Sequence, residues 1–171
     1  VRRVGTLKKE ATGERPMPDR LAGLLERFPF LRRHPHPMVV HFPIVFMYSV
    51  TFFEILSMIT GEKSFEVTAF YCLAGGILFT PFAMLTGWFT WWLNYMAKPM
   101  RRVTIKIRLS WLLLVIAAAA FAWRFSVTDI MEAAGAGRVV YIAMLLSLAP
   151  ITSLIGYHGG ELTYPTGKGR G

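Results

Sequence analysis

Cysteine is almost missing: Cys72 stands alone among 171 residues, which excludes a disulfide framework, a CxxC metal knuckle and a CxxCH site for covalent haem attachment. Charge is scarce as well, at 17% of residues against 54% hydrophobic. Acids are the scarcer sign, with 10 Asp and Glu against 19 Lys and Arg. Catalytic signatures are wanting: there is no HExxH, no G-x-S-x-G and no nucleophile placed beside a base. The terminal GKGRG is no phosphate loop, because no strand precedes it and no helix follows. Residues 1–37 carry no apolar run leading to a small-residue cleavage site, so no cleavable signal peptide is expected. These absences favour no enzyme class.

What the chain does have is long apolar runs. A membrane span needs about 20 predominantly apolar residues, and Met38–Thr60, Ala69–Met96, Val103–Phe125 and Val139–His158 all meet that length. The expected fold is an all-α integral membrane protein, an up-and-down four-helix transmembrane bundle. Gly75, Gly76, Pro81 and Gly87 predict a tilted or kinked second helix, and Trp88, Trp91, Trp92 and Tyr95 form an aromatic belt at its end. Ahead of the bundle, PDRLAGLLERFPF predicts a short interfacial helix, with Asp19 as cap, Leu21, Leu24, Leu25 and Phe28 on one face, and Pro29 as stop. Three parts follow: residues 1–37 as a basic arm with that helix, 38–158 as the transmembrane domain, and 159–171 as a Gly-rich tail.

Charge orients the bundle. Residues 1–37 hold nine Lys and Arg against four acids, and the second connection holds Lys98, Arg101, Arg102, Lys106 and Arg108 with no acid. The first connection, GEKSFE, sets Lys63 against Glu62 and Glu66, and the third balances Arg124 and Arg138 against Asp129 and Glu132. The positive-inside rule therefore predicts both termini in the cytoplasm. The net charge of +9 is accounted for by anionic membrane lipid and calls for no nucleic-acid partner.

Three of the four histidines, His34, His36 and His41, cluster in HPHPMVVHFPI, and the fourth, His158, closes the last apolar run. An up-and-down bundle brings the start of its first helix and the end of its fourth to one side, so His41 and His158 share a depth and could be the two axial ligands of one haem b. Small residues would leave room for the macrocycle: Gly75, Gly76 and Gly87 in the second helix, and Gly156, Gly159 and Gly160 about His158. Tyr48, on nearly the same face as His41, could line that pocket. His34 and His36 alternate with prolines and read as interfacial, although a non-haem metal site could join His36, His41 and His158 with Glu161. Glu54, the one carboxylate within a span, lies near Thr60 and is expected to snorkel to the outer interface. A proton-relay or quinone-side role is the sharper alternative. Ser147 and Ser153 are expected to bond their own backbone.

The blocks HPMVVHFPI and GYHGGELTYPTGKG resemble the ends of a bacterial predicted-membrane-protein family of unknown function (domain of unknown function 2231). Its members open with HP-x-x-VHFPI and close with GG-x-L-x-Y-x-x-G. The resemblance covers residues 36–168 and carries His36, Pro37, His41, Phe42, Pro43, Gly159, Gly160, Leu162, Tyr164 and Gly167. His158 departs from the pattern, where an apolar residue is usual. Because some members look fused to cytochrome c or Rieske-type modules, the resemblance implies electron transfer at a membrane. Two readings of function follow. The first is a membrane b-type cytochrome-like subunit relaying electrons between the quinone pool and other subunits of a membrane redox complex. The second is a cofactor-free anchor or assembly subunit of a respiratory complex.

Overall fold

A computed structural model describes residues 27, 35–95, 99–132 and 135–163. Four helices make up the described residues: α1, Pro35–Thr60; α2, Lys63–Tyr95; α3, Arg101–Ser126; and α4, Ala136–Thr163. All four are long and apolar enough to cross a membrane. They extend past the apolar runs because backbone hydrogen bonding favours completing turns into the headgroup region. At 33 residues, α2 is about 50 Å long by helical rise, well beyond the hydrocarbon thickness, and it continues through Pro81. The interfacial helix expected before the first span falls, apart from Arg27, outside the described residues.

Each helix packs on its neighbours in a closed ring, α1 on α2, α2 on α3, α3 on α4 and α4 on α1, with no diagonal pair in contact. Short connections enforce this. Gly61 ends α1 with φ 74° and its N–H donates to the Ser57 carbonyl at 2.9 Å, the left-handed helix stop that glycine enters without steric cost. Only Gly61 and Glu62 separate α1 from α2. At the same end the third connection tucks Ile130 and Met131 into the core.

The inward stripe recurs at steps of four and three residues: Pro43, Met47, Val50 and Glu54 on α1; Ala69, Leu73, Gly76, Thr80 and Ala83 on α2; Leu113, Ala117 and Ala120 on α3; Tyr141, Leu145, Leu148 and Thr152 on α4. Such spacing suits a bundle of shallow crossing angle. Small residues recur on α2 and α3, at Ala69, Gly76, Thr80, Ala83, Ala117 and Ala120, because lipid tails are as apolar as leucine, so helices associate through close packing and polar bonds more than through the hydrophobic effect. Stacked rings fill the seams, Phe42 on Phe79 at 4.9 Å and Phe70 on Phe121 at 4.9 Å. The outer surface is apolar: Phe52, Tyr71, Leu78, Trp111 and Val115 are all more than half exposed, a lipid-facing inventory.

Candidate functional site

The step from Val50 to Glu54 continues the stripe that runs through Met47, so the carboxylate of Glu54 is carried into the bundle axis. It is 0% exposed, and neither Oε1 nor Oε2 has a hydrogen-bond partner in the protein. Glu54 therefore does not snorkel. Nearness to the helix end is outweighed by direction, since a side chain on the inward stripe cannot reach water without crossing the core. Unmet hydrogen-bonding capacity of this kind costs about 1–3 kcal/mol per group, and no other described residue leaves two buried side-chain atoms without a partner.

All four helices contribute to the surroundings. Tyr141 on α4 is 1% exposed and lies within the electrostatic reach of Glu54, Glu66 and Arg124. Glu66, in the first turn of α2, accepts from Arg124 Nη2, near the end of α3, at 2.6 Å, with both side chains mostly buried. Arg124 Nη1 also donates to the Thr128 carbonyl, while its Nε is buried without a partner. Glu54 feels a like charge from Glu66 and opposite charges from Arg138 and Arg124. One turn before it, Thr51 Oγ1 donates to the Leu145 carbonyl at 2.8 Å, tying α1 to α4.

His36, His41 and His158 occupy the opposite end. His41 is exposed, and its Nδ1–H donates to the carbonyl of Pro37 in its own helix. Because α4 runs to Thr163, His158 is helical and not a loop residue; it is half-buried and meets Tyr157 edge-on at 5.5 Å. The two imidazoles sit on contacting helices at one end of the bundle, with no hydrogen bond or ring contact between them. His36 Nδ1 pairs with Thr86 Oγ1 at 3.2 Å, seated over Gly87, where an added Cβ would lie 2.9 Å from the ring. The space at Gly75 and Gly76 is taken by α1: a Cβ there would meet the Phe46 ring at 2.8 Å and Met47 Cε at 2.7 Å. Tyr48 Oη bonds Ser153 Oγ at 2.6 Å. Ser153 donates to the Ala149 carbonyl at 2.9 Å and Ser147 to that of Met144 at 2.7 Å, as the sequence suggests. Among the described residues no three His, Cys, Asp or Glu side chains come together to hold a metal, so His36, His41, His158 and Glu161 do not form the N3O set. Glu161 is engaged by Arg102.

A family model described as predicted membrane protein (DUF2231) matches residues 33–170. The chain belongs to this family. No curated protein and no solved structure matches it. In this DUF2231 member the block HPMVVHFPI opens α1 and the stretch GGEL lies in the last turns of α4, so both stand at one end; Tyr164 and Gly167 fall outside the described residues. The Glu54 cluster lies at the other end, away from both blocks. Sequence reading assigns Glu66 and Arg124 to the connections as ordinary loop charges, and misses Tyr141. The usable signal is that each stands within a helix, and that Glu54 continues a four-three stripe.

Proposed function

We propose that this protein is a proton-handling membrane subunit centred on Glu54. One observation carries the reading: a carboxylate on the axis of a four-helix membrane bundle, fully buried, with both oxygens unmet by the protein. Ionisable groups inside a span are costly and are retained for function. Glu66, three residues from the start of α2, is the acid at the mouth; Glu54, about 9 Å inside by helical rise, is the acid within. A proton entering at Glu66 loosens its pair with Arg124. Its transfer to a Glu54 oxygen breaks one O–H bond, makes another and restores that pair. Arg138 and Arg124 act on the Glu54 carboxylate before it takes the proton, and Arg124 pairs with the Glu66 carboxylate left behind. The charge asymmetry of the connections supports a bacterial cytoplasmic membrane with both chain ends inside, so that Glu54 faces the outer side. Infrared difference spectra recorded across pH test the reading. A carboxyl stretch that responds to pH in wild type and is missing from Glu54→Gln is expected; identical spectra overturn it.

A second reading, haem b held by His41 and His158 in an electron-transfer subunit between quinone and a redox partner, has support from His41 alone. Donation from Nδ1 to the Pro37 carbonyl leaves Nε2 as the free lone pair, the arrangement that metal-ligating histidines commonly use. Phe46 and Met47 fill the space that Gly75 and Gly76 open between α1 and α2, so those two glycines offer no room for a macrocycle. A reduced-minus-oxidised spectrum of the purified protein decides this. His41→Ala should abolish a b-type signal and His34→Ala should not; no signal in wild type removes the reading.

A further inference from the structure

At the end that carries the two family blocks, one cation stands apart from the rest. Arg102 is fully engaged by α4: its Nη1 donates to the Glu161 carbonyl at 2.8 Å and its Nη2 pairs with Glu161 Oε2 at 2.5 Å. Lys106, one turn further along the same face of α3, has no such partner. Its ammonium makes no ion pair and no hydrogen bond among the described residues, and the titratable group on which its charge acts is His36, itself a base. Gly159 lets Lys106 into the seam between α3 and α4, since a Cβ at 159 would lie 3.2 Å from Nζ. Arg101 and Arg108 are exposed on the outside. A half-buried ammonium with no acid beside it is an incomplete pair, because desolvating a charge is repaid only by a counter-charge.

We propose that Lys106, entering over Gly159, binds a phosphate group at the α3–α4 seam. The depth fits: Lys106 is five residues past Arg101, about 7.5 Å along the axis, and the lysine stem returns the ammonium toward headgroup level. Basic pockets between spans commonly take anionic headgroups, and an ammonium recognises phosphate as a point charge. The same chemistry comes from a phosphatidylglycerol headgroup or from free inorganic phosphate. Arg102, held by Glu161, borders the site without competing for the anion.

Native mass spectrometry of the full chain in mild detergent tests the site. The probes are phosphatidylglycerol, phosphatidylcholine and inorganic phosphate, and the variants are Lys106→Gln, Arg108→Gln and Gly159→Ala. Wild type and Arg108→Gln should retain the phosphate-bearing adduct, and Lys106→Gln should weaken it about tenfold, the loss of one charge-assisted hydrogen bond. Gly159→Ala preserves every charge but crowds Nζ, so it should weaken retention too; this decides the matter if Lys106→Gln fails to fold by circular dichroism. A phosphatidylglycerol adduct that inorganic phosphate does not displace identifies the lipid as source, and displacement identifies the free ion. Equal retention in wild type and Lys106→Gln, equal loss in Lys106→Gln and Arg108→Gln, or no effect of Gly159→Ala when Lys106→Gln is unfolded would each overturn the proposal.

Discussion

Glu54 sets stability against function at the scale of one residue. Replacing it with Leu removes two unmet polar atoms from the core while keeping the volume similar, so the bundle should gain about 1–3 kcal/mol, read as a raised unfolding midpoint in detergent, and should lose the pH-dependent carboxyl signal. A fall in the midpoint would mean that Glu54 has a partner within the protein. Arg124→Ala works in the other direction. It leaves Glu66 mostly buried and unpaired, at a cost of about 1–3 kcal/mol after allowing for its partial exposure. The pair of Lys63 and Glu132 is a control, because both side chains are mainly solvent-exposed. Lys63 holds the Glu132 carboxyl below the usual carboxylate range. Whatever that pair contributes is present at neutral pH and is lost on acidification through the lowered carboxyl value, and again at alkaline pH through the raised value of Lys63. Lys63→Ala should leave the midpoint nearly unchanged.

Between elements, the α1–α2 seam is the tightest contact that a substitution can probe. Gly75→Ala drives a methyl into the Phe46 ring and Gly76→Ala drives one into the terminal methyl of Met47. The ring is stacked on Phe79 at 5.8 Å and cannot yield, whereas the methionine end can swing away. Gly75→Ala should therefore cost about 1–3 kcal/mol, as overpacking does, with Gly76→Ala the milder; unfolding midpoints of the two variants give the comparison, and the reverse order would refute it. These glycines serve helix approach, which the sequence leaves open beside a cofactor role, because glycine opens space for either and only the facing side chain says which. The histidine end is likewise half legible. His41 and His158 fall at one end because connectivity requires it, yet the direction of each ring depends on helix rotation.

The whole molecule is a ring of four helices with an apolar outside. Both balanced connections and the Glu54 cluster lie at one end, and both family blocks and the basic connection at the other. If the charge asymmetry sets the orientation, a cysteine at Ser64→Cys should label from the outer side and one at Pro99→Cys from the inner side, in a background lacking Cys72. The opposite pattern would invert the assignment and turn the Glu54 mouth toward the cytoplasm.

Span number, order and the meeting of the first helix with the fourth were determined by sequence alone, because insertion depends on summed apolarity and short connections leave one neighbour arrangement. Tertiary structure decided which way each side chain points. In helices apolar on every side there is little contrast between faces, so rotation about the axis follows from the fit of Gly75 against Phe46 and Gly159 against Lys106. The same rotation turns Glu54 inward. It also brings Glu66 to Arg124, two charges 58 residues apart that hydropathy places in separate connections and only packing makes a pair.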